Sequence, residues 1–123
     1  MSGKFRSPSA GRYGKRHKPG EMNQTEALYA AELEAKRIDG EVLGWWFEPA
    51  SWRLGAGCHY IPDFMVLLAD HTIEFVDTKG GGPLDAKGQV KLKVAADKFW
   101  PFKYVQLKRR AKKDGGGWTR REF

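Results

Sequence analysis

Tyr60-Ile61-Pro62-Asp63-Phe64-Met65-Val66-Leu67-Leu68-Ala69 and, past Asp70-His71, Thr72-Ile73-Glu74-Phe75-Val76-Asp77-Thr78-Lys79 are the most informative runs of the chain. The first is apolar on both sides of a strand. Ile61, Met65 and Leu67 fall on one face and Phe64, Val66 and Leu68 on the other, the pattern of a central strand covered on both sides. Asp70-His71 predicts a tight turn, so the second run folds back as an antiparallel hairpin. Alternation puts Asp77 and Lys79 on one face with Ile73 and Phe75, and turns Glu74 to the other with Val76.

Asp63 then lies inside an apolar strand. A carboxylate taken out of water costs several kcal/mol unless it is paired, protonated or bound to a metal. The hairpin supplies neighbours by bringing Asp63 alongside Asp77 and Lys79. One reading is a buried salt bridge of Lys79 with either acid, which leaves the other carboxylate without a partner. The other is a cation site, in which the two carboxylates and the carbonyl of Thr78 hold a hard ion such as Mg²⁺ or Mn²⁺ that keeps several waters. Lys79 would then orient or deprotonate a metal-bound water and offset charge at phosphorus.

Upstream, Asn23-Gln24-Thr25-Glu26 opens a helix, with Asn23 as N-cap and Glu26 at the capping-box position. Leu28, Ala31, Leu33, Ala35 and Ile38 form its apolar stripe, and Asp39-Gly40 ends it. Residues 41–48 (EVLGWWFE) read as a strand stopped by Pro49, and 52–54 as a short one. Gly80-Gly81-Gly82-Pro83 punctuates. Pro83 suits the first turn of a second helix reaching about residue 98, with Leu92, Ala95 or Ala96, and Phe99 inward. Residues 102–108 and 118–123 read as strands joined through Asp114-Gly115-Gly116-Gly117. The predicted fold is α/β (α+β): a mixed central sheet flanked by helices, in the order αβββαββ, with 22–123 as one domain.

The chain has 123 residues, 41% of them hydrophobic, enough for one packed core. Its longest apolar run, 64–69, is far below the ~20 residues of a membrane helix, and no apolar leader opens the sequence. The single cysteine, Cys58, excludes an internal disulfide and a multi-cysteine zinc site. Of the formal charge of +7, the two ends carry the excess: residues 1–21 hold six Lys/Arg against one acid, and 103–123 hold eight against two. The centre is acidic. Residues 1–21, with little to bury, read as a flexible basic arm. Basic ends around an acidic middle suit a polyanion gripped from its sides, or tails that bind nucleic acid without specificity. The Gly80–82 run lacks the spacing of a nucleotide-binding loop.

Pro62-Asp63, thirteen residues, then Asp77-Thr78-Lys79 resembles the signature of the PD-(D/E)XK nuclease superfamily. The words NQTEALYAAELE, GEVLGWWFEP, YIPDFMVLLAD, VDTKGG and KVAADKFWPFKY are similar to small phage and prophage endonucleases of that group, resolvases of Holliday junctions among them. The resemblance spans residues 22–123. It implies a restriction-endonuclease-like core and a metal-dependent DNA endonuclease. Asp63 and Asp77 would bind Mg²⁺ (or Mn²⁺), and Lys79 would position the attacking water. The superfamily's leading helix often adds an acid, which implies Glu26, while capping chemistry explains Glu26 equally well. Asp77 departs from the commoner Glu at its position. Lys4, Arg6, Arg12, Lys15, Arg16 and Lys18 of the arm, and Lys108, Arg109, Arg110, Lys112 and Lys113, would grip backbone phosphates. Gln89 and Lys93, on one face of the second helix, would reach the scissile phosphate or simply be solvated. The resemblance further implies a cytoplasmic phage or prophage protein in a bacterial cell, selective for branched DNA, with a homodimer as one arrangement. The rival from another class is a non-catalytic nucleic-acid-binding module on a degenerate nuclease fold.

Overall fold

The structure is a computed structural model that describes residues 20–123. The arm residues Lys4, Arg6, Arg12, Lys15, Arg16 and Lys18 lie outside the described residues. Helix α1 (Gln24–Asp39) begins as its sequence dictates. The Asn23 side chain accepts from the Glu26 N–H, and the Glu26 carboxylate accepts from the Asn23 N–H. It ends at Gly40 in the left-handed region, φ 88°, where glycine is at ease.

Among the described residues seven strands follow: β1 (Val42–Phe47), β2 (Trp52–Gly55), β3 (Cys58–Tyr60), β4 (Phe64–Leu68), β5 (Ile73–Lys79), β6 (Lys103–Arg109) and β7 (Trp118–Glu122), with helix α2 (Ala86–Lys98) between β5 and β6. Five of them make one mixed sheet in the order β1-β4-β5-β6-β7, while β2 and β3 form a separate two-stranded ribbon. The pairs β1/β4, β4/β5 and β6/β7 are antiparallel. β5/β6 is parallel, and the connection through α2 makes that possible.

Each face of the sheet is covered by one helix. Tyr29, Ala30 and Leu33 of α1 pack on Phe64, Val66, Val76, Val105 and Leu107. Leu92 and Ala95 of α2 pack on Phe75 and Tyr104 together with Tyr60. Neighbouring residues of β5 thus enter opposite cores, as a doubly covered strand requires. Two indoles tie α1 across the sheet: Trp45 Nε1 donates to Glu34 at 3.0 Å and Trp118 Nε1 to Glu32 at 3.0 Å. These ties, with the capping box, fix where Glu26 sits.

The structure corrects four expectations. Of the expected apolar stripe of α1 only Leu33 is buried; Leu28, Ala31, Ala35 and Ile38 are exposed, and Tyr29 and Ala30 pack on the sheet instead. Residues 60–69 are not one strand. Tyr60 ends β3, paired with Trp52, and β4 starts only at Phe64. Pro62 has no N–H for a ladder and interrupts the run, so Asp63 stands at the head of β4, where its carbonyl accepts from the Glu48 N–H at 2.7 Å. Helix α2 starts at Ala86 rather than Pro83, because the Asp85 side chain caps it by accepting from the Gly88 N–H at 2.9 Å. A Cβ at residue 88 would meet Asp85 Oδ2 at 3.2 Å, which accounts for a glycine in this first turn. Finally, five strands rather than three separate the helices, the β2–β3 ribbon among them.

Candidate active site

β4 and β5 pair with Phe64 opposite Val76, so the next residues outward, Asp63 and Asp77, stand side by side. Asp77 is 7% exposed. Thr78 fixes Asp63 by donating its N–H (2.8 Å) and its hydroxyl (3.1 Å) to Oδ2. Thr78, expected to contribute its carbonyl, therefore also positions an acid. Lys79 Nζ lies 3.0 Å from Asp77 Oδ2. Glu74 points to the other face, where Arg120 pairs with it at 2.8 Å, as its parity requires.

The electrostatics follow from the crowding. Burial raises the Asp63 pKa well above its ordinary 3.8, and the charges of Asp77 and Glu26 push it further. Burial raises Asp77 too, against the opposing pull of Lys79. Burial works against the Lys79 charge, but Asp77 and Asp63 outweigh it and hold the ammonium protonated above its usual range. One cation thus serves two desolvated carboxylates, and a positive charge is what the site lacks.

Among the described residues, no three Asp, Glu, His or Cys side chains converge into a metal-holding group. The donor set is a carboxylate pair, which fits Mg²⁺ or Mn²⁺, ions that keep much of their water. Glu26 is 6% exposed and its charge is felt at Asp63, yet its Oε1 also serves the helix cap at 2.9 Å. Glu26→Gln separates the two roles, since the amide oxygen still accepts the cap hydrogen bond. The expected result is a melting temperature near wild type with Mn²⁺ affinity about tenfold weaker. Unchanged affinity would leave Glu26 a cap alone.

Further residues complete the surroundings. Gln106 of β6 pairs in register with Asp77 and is 2% exposed. Its amide Nε2 is buried with no hydrogen-bond partner among the described residues, a state that costs about 1–3 kcal/mol. The Tyr60 hydroxyl is buried too and lies against Asp77, short of a well-formed hydrogen bond. Burial and the Asp77 and Asp63 charges hold its pKa well above the usual value. Sequence reasoning gave Tyr60 no part in the acidic site and passed over Gln106. A lone amide between Val105 and Leu107 was the available signal, but its neighbour depends on a parallel register that alternation does not supply.

The expected nucleic-acid contacts divide. Lys79 pairs in register with Lys108, and Lys108, Arg109, Arg110 and Thr119 line a cavity of about 560 Å³ with Gly81 and Asp114. Arg109 lies 5.0 Å over the Trp118 ring, and Arg110 donates to the Asp114 carbonyl. Lys112 and Lys113 are exposed on a 3₁₀ turn (Lys112–Asp114). Lys93 is exposed, whereas Gln89 is half-buried and accepts from Arg121 at 3.3 Å. No protein-family model, curated protein or solved structure matches the chain. Among the described residues no helix is long and apolar enough to cross a membrane.

Proposed function

We propose that this chain is a Mg²⁺- or Mn²⁺-dependent DNA endonuclease of the PD-(D/E)XK kind, acting on branched or nicked DNA with little sequence specificity. The observation that carries the reading is the pair of carboxylates, Asp77 buried and Asp63 half-buried, standing side by side on neighbouring strands with Lys79 paired to Asp77. A purely structural ion pair has no use for the second acid. Asp63, Asp77 and, by its charge, Glu26 would hold the ion, which would supply Lewis-acid activation of water and charge stabilisation at phosphorus.

The chain's own groups do the rest. Thr78 fixes Asp63 through two hydrogen bonds. Lys79, protonated beside the acids, orients the attacking water and offsets charge on the phosphoryl oxygens rather than taking the proton. The Lys108–Arg110 cluster lies next to this end of the sheet and suits the phosphates that flank the scissile one. Hydrolysis by in-line displacement would leave 5′-phosphate and 3′-hydroxyl ends. A phage or prophage setting and a homodimer cutting paired strands accompany the reading.

The test is cleavage of labelled linear duplex, single strand, flap and four-way junction with Mg²⁺, Mn²⁺ or EDTA. Metal-dependent cutting, strongest on the flap or the junction, is expected. Salt-sensitive binding without cutting of any substrate would instead establish the non-catalytic nucleic-acid-binding module. Replacing Lys108 and Arg110 together with Ala should weaken binding uniformly across substrates. The slope of log K against log salt should fall by about two, roughly one per lost phosphate contact.

A further inference from the structure

Two donors beside the acidic pair are out of keeping with a finished core. Gln106 stands next to Asp77 across the parallel β5–β6 ladder, on the same face and 2% exposed, with its amide Nε2 unmatched among the described residues. Tyr60, 6% exposed, ends β3 with a hydroxyl that lies against Asp77 without a well-formed hydrogen bond to it. Buried donors are nearly always satisfied, so one unmatched and one poorly formed donor around one carboxylate ask for a cause. Asp77 supplies one: its Oδ2 is drawn to Lys79 at 3.0 Å. A carboxylate that leaves this ion pair to bind a cation must reorient, and needs donors to hold it in its new place.

We propose that Gln106, together with Tyr60, is a positioning residue for Asp77, its amide holding the carboxylate in the orientation that receives a divalent ion. In the Lys79-paired form the Gln106 amide stands idle and the Tyr60 hydroxyl engages Asp77 only poorly, which accounts for their state. This rests on the metal-site reading above. It also carries a signature that a structural role would not. An idle buried amide destabilises the metal-free fold, so its removal should help stability while it harms metal binding.

The test is Mn²⁺ titration of the full chain, followed by electron paramagnetic resonance, alongside metal-free thermal melting. The proteins are wild type, Gln106→Met, Tyr60→Phe and Asp77→Asn. Gln106→Met and Tyr60→Phe should each bind Mn²⁺ about 10–100-fold more weakly, with melting temperatures at or above wild type. Affinity within threefold of wild type in both variants would overturn the positioning role. So would a loss of affinity matched by a fall in melting temperature, which would mark the two residues as structural. Wild type binding Mn²⁺ no better than Asp77→Asn would overturn the metal site itself, and the positioning role with it.

Discussion

Asp77→Asn is expected to reduce metal-dependent cleavage about a thousandfold while raising the stability of the metal-free protein. On the proposed reading, the first effect follows from removing one of the two carboxylates that would hold the ion. Several kcal/mol of charge stabilisation at phosphorus depend on it, and about 4 kcal/mol is a thousandfold in rate. The second follows from burial. Asp77 is 7% exposed, and both it and Asp63 resist ionising in the fold. A neutral isostere removes one buried charge and relieves the repulsion on the other.

The pH dependence has a definite sign. Both folded-state pKa values lie above the ordinary 3.8, so over the window above about pH 4 the native state binds more protons than the unfolded chain. Metal-free wild type therefore loses stability as pH rises through that window. Asp77→Asn should flatten this slope. Denaturant melts from pH 4 to 8 with EDTA check it. A variant less stable than wild type at pH 7 would mean that the Lys79–Asp77 pair is a structural salt bridge.

The second large effect is on the core. Phe64 is 0% exposed, one residue beyond Asp63, and meets the rings of Tyr29 at 5.2 Å, Phe47 at 5.4 Å and Trp45 at 6.0 Å. Phe64→Ala should cost about 3–5 kcal/mol, a large share of the roughly 5–15 kcal/mol that a domain of this size has. The urea midpoint should fall with the slope unchanged. A loss below about 1 kcal/mol would show that α1, β1 and β4 can close over the gap.

Much of this arrangement was legible from the residues. Asn23, Glu26 and Gly40 announce the ends of α1 because caps are local chemistry. The Asp70-His71 turn and strict alternation suffice to set Asp63 beside Asp77 and to turn Glu74 away. What escaped is what alternation cannot carry. The apolar run 60–69 hid the break at Pro62, since its apolar pattern continues across a residue that cannot join a ladder. Pro83 and Asp85 both suit a helix start, and the short carboxylate prevails because it satisfies a backbone N–H that the proline ring cannot. The meeting of Gln106 with Asp77 depends on how α2 returns the chain to a parallel strand, a distance no local pattern encodes.

The two margins of the main sheet bear on how copies of this protein can meet. At one margin β7 carries Thr119, Arg120, Arg121 and Glu122 in succession. At the other, the β1 register shifts between Val42 and Gly44. Charge along one border and irregularity along the other both discourage a second chain from adding its strand there. On the proposed homodimeric reading, two copies would be favoured to join through helical or loop surfaces, keeping each five-stranded sheet a closed unit rather than half of a ten-stranded one.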